Sequence, residues 1–364
     1  MIVVIADDLT GAAEIAGIAW RNGLLVRMIM RLTRTIPTCD VLVIATNTRQ
    51  ATKAKAIKET DDLMHKLSML DSPLFIYKKT DSALRGHIVA ELNAMMLALQ
   101  KPKALLIAQN PSKERIIKNG IYYLDDLPLH QSQFYYDPEF PANTAVVEER
   151  LPGTHSLSLL DPPQKGINIA DASSQEDIKL QLQKCSDDTI IAGGADTFGH
   201  WIKMMTPDAK DVETTSEFNI PSSNVLLIQG STQSHANNFG LPESLMPDDV
   251  FHGESPEKWI KSLKEQFNET SLMAIRIPQP SEGGKDYAIR LRNTMAKVTA
   301  KLVKEKAATP FYLMIEGGAT AYAIIQRLGW NSFSIERELA PGVVTIQYKQ
   351  TLITLKPGSY PWPS

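Results

Sequence analysis

The segment "KKTDSALRG" (Lys78–Gly86) sets two lysines, an aspartate and an arginine between an apolar run, "LFIY", and a helical pattern, "HIVAELNAMMLAL". Strand alternation would put Lys79 and Asp81 on one face and Lys78, Thr80 and Ser82 on the other. Capping of the following helix accounts for Asp81 or Ser82. It does not account for Lys79 and Arg85 at the positive end of that helix, where a bound anion would relieve the repulsion. A second cluster, "ADDLTGA", closes the first apolar run. Asp8 or Thr10 serves there as a helix N-cap and Gly11 as a tight turn, which leaves the adjacent pair Asp7 and Asp8 over. Paired carboxylates can orient hydroxyls, accept a proton or hold a magnesium ion. "TNTRQ" adds Thr48 and Arg49 at a third strand end, and with Asp8, Lys79 and Arg85 these residues suit a small hydroxylated anion.

The second half carries different chemistry. "QGST" (Gln229–Thr232) and "EGGAT" (Glu316–Thr320) put glycine and hydroxyl residues between a strand and a helix. Glycine admits a phosphate to backbone N–H groups, and a helix N-terminus favours its charge. Each is equally readable as a tight connection, and neither is a Walker A or dinucleotide fingerprint. "LKPGS", with Lys356 and Gly358, is a third such place, where Pro357 removes one donor. The seven histidines include no pair at metal-ligand spacing, so no protein metal site is expected.

These positions need strands that end together. "IVVIA", "LLVRMIM", "VLVIAT", "LFIY" and "ALLIA" are buried-strand runs separated by helical stretches such as "GAAEIAGIAWRNG", closed by Gly23, and "TKAKAIKETDDLMHKLSML". Such alternation implies a parallel α/β sheet. Gln109 to about Leu160 is irregular and reads as loops and hairpins attached to this domain. "IIAGGADTFGHWIKMM" resumes strand–turn–helix. Residues 206–223 are polar and turn-rich and serve as the linker. Beyond them "VLLIQ", "SLMAIRI", the helix "DYAIRLRNTMAKVTAKLVKEK", "FYLMIEGGATAYAIIQRLG" and two terminal strands, "VVTIQY" and "TLITLK", form a second α/β pattern. The expected architecture is two α/β domains, 1–222 and 223–364, with mainly parallel sheets and a ligand cleft between them.

Composition narrows the function. A net charge of -3 supplies no field for a polyanion, so no nucleic-acid partner is expected. No apolar run reaches membrane-spanning length, and the chain opens on a strand without a basic leader. Two cysteines, Cys39 and Cys185, make no disulfide framework, which fits a reducing, cytoplasmic setting.

"DDLTGA", "KKTDSALRGH", a "GS" after a central strand, "GGAT" and "LKPGS" occur in an order that resembles the four-carbon acid sugar kinase family, over essentially the whole chain. The resemblance implies an N-terminal domain that binds a sugar acid and a C-terminal domain that binds ATP with Mg²⁺. Family members phosphorylate threonate, erythronate or 3-oxo-tetronate. Carried over by motif, Asp7, Asp8, Thr10, Thr48, Arg49, Lys79, Asp81, Arg85 and Arg115 fall on the acid side, with Asp8 or Asp81 as the base. Pro111 and Gly120 match the same loop stretch as Arg115. Ser231, Gly317, Gly318, Thr320 and Gly358 fall on the nucleotide side. Ala319 stands where the family usually has an acidic residue, "KPGSYP" replaces its terminal pattern, and the chain is shorter than typical members. The rival expectation is therefore a sugar-acid-binding protein of the same fold that has lost efficient ATP use. A small-molecule acid is the expected partner, and a homo-oligomer is compatible with the sequence.

Overall fold

A computed structural model describes residues 1–70, 74–137, 139–212, 218–230, 239–278, 284–305, 309–358 and 360–363. The chain folds as two compact units, one of residues Met1–Val26 and Arg31–Asp211, the other of Arg27–Met30 and Val212–Ser364.

The first unit is built on a parallel sheet in the order Val41–Ala45, Ile2–Ala6, Phe75–Lys79, Thr189–Gly193, Lys103–Ile107, Gly166–Ala170, Thr154–Leu157. Every residue of Ile2–Ala6 and of Val41–Ala45 is buried. Strands apolar on both faces must be covered on both faces, which is why the sequence alternates them with helices. Helix Leu9–Arg21 packs beside Ala195–Met205, and Lys53–Ser68 beside Ile88–Leu99. The irregular region forms a hairpin, Arg115–Lys118 with Ile121–Leu124, extended by Leu127–Pro128.

The second unit has five parallel strands in the order Glu243–Leu245, Leu272–Arg276, Val225–Gln229, Phe311–Glu316, Thr351–Lys356. Antiparallel Val343–Tyr348 and Ser332–Ala340 follow. The run "LLVRMIM" departs from its expected place. Its strand, Val26–Ile29, pairs antiparallel with Ser332–Ala340, Arg27 opposite Ser334 and Ile29 opposite Ser332. A short, mostly apolar run such as "VRMI" specifies a strand but not its partner. Helix Glu257–Thr270 is a further element not anticipated above, although Trp259, Ile260, Leu263 and Phe267 form its buried face at helical spacing. No described helix is long and apolar enough to cross a membrane. Among the described residues Cys39 and Cys185 form no disulfide.

Candidate active site

Register brings the first-half motifs together. Ala6 is opposite Ala45 and Lys79, and Gly193 is opposite Lys79 and Ile107. The strands therefore end at one edge of the sheet, and the segments that leave them, Asp7–Asp8, Thr46–Arg49 and Thr80–Arg85, start side by side. The carboxyl edge of a parallel sheet is where such folds bind ligands.

Arg49 is the hub. Its Nε and Nη2 donate to Asp7 Oδ2 and Oδ1 at 3.0 and 2.8 Å, and Nη2 also donates to Asp8 Oδ1 at 2.9 Å. Its Nη1 lies 3.3 Å from Asp81 Oδ1. Asp8 is the N-cap of helix Leu9–Arg21, accepting from the Gly11 N–H at 3.1 Å and from the Thr10 hydroxyl at 2.6 Å. Asp81 grips Arg85 through two parallel hydrogen bonds of 2.9 and 2.8 Å and accepts the Ala83 N–H at 3.0 Å. Burial alone would raise the Asp81 carboxyl, but Arg85 and Arg49 hold it well below the usual carboxylate range. Burial pushes Asp7 up, against the pull of Arg49.

The turn corrects one expectation. The next helix begins at Ile88, and its N-cap, His87, makes no side-chain capping bond. Neither Asp81 nor Ser82 caps it; Asp81 organises the Ser82–Arg85 turn instead. The two lysines do take opposite faces. Lys78 pairs with Glu91 at 2.5 Å, both fully buried, whereas Lys79 lies 3.3 Å from Glu14 and donates to the Thr80 carbonyl. Lys113 reaches the same Glu14 at 2.8 Å. Against the cost of burial, the two ammonium groups bring the Glu14 carboxyl down to about 2. Thr48 is buried, its hydroxyl 2.9 Å from that of Thr46.

A second set of groups closes on the turn from the hairpin region. Arg115 Nη1 donates to the Ser82 hydroxyl, and Tyr122 to the Ser82 carbonyl. Arg115 Nε is buried without a protein acceptor among the described residues. The guanidinium groups of Arg85 and Arg115 lie 5.2 and 5.7 Å from the centre of the Phe134 ring. Asp137 accepts from Arg85 Nη1 at 3.1 Å, and Arg150 donates to the Ala83 carbonyl at 3.3 Å. Glu14, Phe134, Asp137 and Arg150 escape motif reading. A lone acid in the apolar helix "TGAAEIAGIA" was the one available signal, for Glu14; the other three sit in an irregular segment with none.

The second unit repeats the edge geometry with less charge among its described residues. Gln229 is opposite Glu316, and Glu316 opposite Lys356, so Gly230, Gly317 and the segment to Gly358 leave adjacent strand ends. Gly317 has φ +93°, a left-handed conformation that side chains disfavour. A Cβ on Gly230 would lie 2.5 Å from the Thr320 hydroxyl, so backbone and hydroxyl are in close approach. Helix Gly318–Leu328 starts here with no side-chain cap bond, which leaves first-turn N–H groups for an anion. Ser231 lies outside the described residues. No group of three or more metal-binding side chains occurs among the described residues.

Comparison with known proteins finds a match in each half of the chain. Residues 2–196 match the family described as sugar-binding N-terminal domain, and residues 256–360 the family described as nucleotide-binding C-terminal domain. The chain is 23% identical to the 3-oxo-tetronate kinase of Haemophilus influenzae, over 99% of this chain and 97% of that protein. It is 28% identical to the D-threonate kinase of Salmonella typhimurium over 41% of this chain and 35% of that one. A solved Haemophilus influenzae structure shares the fold, with a TM-score of 0.72 at 20% identity, covering 99% of this chain and 97% of that chain. With its sugar-binding match spanning more than half of the chain, the protein belongs to the family defined by that N-terminal domain.

Proposed function

We propose that the protein is an ATP-dependent kinase that phosphorylates a hydroxyl of a four-carbon sugar acid of the threonate, erythronate or 3-oxo-tetronate type. The observation that carries this reading is the strand-edge cluster around Arg49 and Arg85, on residues matching a sugar-binding domain, in a chain whose other half matches a nucleotide-binding domain. Residues 1–222 bind the acid and 223–364 the nucleotide. Arg115, with its unsatisfied Nε, and Arg85 receive the carboxylate; Lys79, Thr48 and Asp7 shape and neutralise the surrounding wall.

Geometry favours Asp8 over Asp81 as the base. Both Asp81 oxygens are committed to the Arg85 fork, and the lowered pKa of its carboxyl makes it a weak proton acceptor. Asp8 is more open, 14% exposed in its side chain, and its Oδ2 is met by the Thr10 hydroxyl, which can rotate away. Asp8 takes the proton from the acceptor hydroxyl as that oxygen bonds the γ-phosphorus and the bond to the ADP oxygen breaks. Bound MgATP supplies the phosphoryl group, its Mg²⁺ held by phosphates and water. The close approach of Gly230 to Thr320 and the uncapped start of the helix at Gly317–Gly318 support a triphosphate site there, to which Ser231 and Gly358 are assigned by motif order alone. These retained turns give the binding-only alternative no support. A thermal-shift screen of four-carbon acids with and without MgATP tests the reading: stabilisation by both ligands is expected, and stabilisation by acid alone contradicts it.

A further inference from the structure

The C-terminal tail makes contacts of its own. Glu316 and Lys356 are neighbours on adjacent strand ends, 0% and 1% exposed, with Lys356 Nζ 3.9 Å from Glu316 Oε1. The ammonium donates to the carbonyls of Pro357 at 3.1 Å and Tyr360 at 2.6 Å, so the tail wraps around it. Trp362 then returns to the strand end, where its indole N–H donates to Glu316 Oε1. Its ring is near-parallel to Phe218, centroids 5.8 Å apart, and edge-on to Phe239 at 5.5 Å. Lys356 Nζ lies 5.6 Å from the centre of the same ring. Glu316 is the residue before the Gly317–Gly318 turn, the Gly317 N–H donates to the Lys356 carbonyl at 2.9 Å, and Gly358 lies between Lys356 and Trp362.

We propose that Trp362 is a positioning residue for the nucleotide: its indole, held on the buried Glu316 carboxylate, fixes the segment carrying Gly358 against the Gly317–Gly318 turn and so sets the affinity for the triphosphate. This rests on the reading of those turns as the phosphate cradle. A carboxyl acceptor shielded from water makes the indole hydrogen bond a specific anchor for the tail. The tail of this chain thereby supplies a brace that its motif alone does not announce.

The test is calorimetry on the full chain with MgATP and, separately, with D-threonate, comparing wild type with Trp362→Phe and Trp362→His. Phenylalanine keeps an aromatic ring and loses the donor; histidine restores a ring N–H. The expected result is about a tenfold loss of MgATP affinity in Trp362→Phe, partial recovery in Trp362→His and no change toward D-threonate. Tryptophan emission adds a second readout, since MgATP should alter wild-type emission by a component missing from Trp362→Phe. MgATP affinity in Trp362→Phe equal to wild type, or an equal loss toward D-threonate, overturns the inference alone. A wild type that binds D-threonate but no MgATP overturns the nucleotide reading as well.

Discussion

The two strand edges use the same topology and opposite materials. In the first unit the edge is lined by side chains of both signs, Asp7, Asp8, Asp81 and Glu14 against Arg49, Arg85, Lys79 and Lys113, which satisfy one another before any ligand arrives. In the second unit the described residues offer mainly backbone there, with the buried pair Glu316 and Lys356 beside the turn. A mutually paired cluster is preorganised but costly to damage, because removing one partner strands the rest in a low-dielectric place. A backbone cradle is cheap to maintain and is tuned by its neighbours. The first edge suits recognition of a compact acid with several hydroxyls; the second suits a phosphate chain bound through N–H groups.

If this contrast holds, damage at the first edge costs both folding and acid binding, and the largest effect belongs to Arg49. Arg49→Met leaves Asp7, Asp8 and Asp81 facing each other without their shared cation. We expect a loss of about 3–5 kcal/mol of stability in urea unfolding together with loss of acid binding. A variant as stable as wild type would break the account of Arg49 as hub. Arg85→Ala is expected to abolish detectable acid binding with a smaller stability cost, about 1–3 kcal/mol, because Arg49 remains beside Asp81. Unchanged acid affinity in calorimetry would remove Arg85 from the site.

Acid should expose the same difference. Glu14 and Asp81 have folded-state values below their unfolded ones, so the stability they contribute is present near neutral pH and is lost as pH falls, for Glu14 from about 4.5 through about 2 and for Asp81 from below its ordinary carboxylate value downward. Asp7, raised by burial, works in the opposite direction and returns part of that loss. Denaturant midpoints measured from pH 6 to pH 3 should therefore fall, and Glu14→Gln should flatten the fall while lowering the plateau. A plateau unchanged by Glu14→Gln would deny the pair its role. The smallest effect is expected at the second edge. Ala319→Glu places a carboxylate beside the Gly318–Thr320 turn and should tighten MgATP by up to about one decade, with acid affinity unchanged. Weaker MgATP binding would show that the turn has no room for the acid group.

The same contrast explains what the sequence disclosed. Asp7, Asp8, Arg49, Lys79, Asp81 and Arg85 were legible because charge at the end of an apolar strand has few structural uses, and strand register then forces such ends together. Arg115 came only through resemblance. Asp137 and Arg150 were invisible because they act from an irregular segment, where no periodicity says which way a side chain points. The glycine turns were legible as turns, whereas the Trp362 contact depends on a tail returning over its own strand end. Strand Val26–Ile29 shows the limit for the fold: its four apolar-rich residues announced a strand, but long-range pairing gave it to the second unit. Cutting the chain at residue 222 would separate that strand from Ser332–Ala340.

Phosphoryl transfer to a four-carbon acid is read out by ADP formation from MgATP in the presence of D-threonate, D-erythronate or 3-oxo-tetronate, with the product followed by phosphorus NMR. The account predicts acid-dependent ADP release with one acid strongly preferred, a phosphomonoester signal from that acid, and loss of both in Asp8→Asn at unchanged MgATP affinity. No phosphomonoester with any of the three acids, in a protein that binds both acid and MgATP, would contradict it.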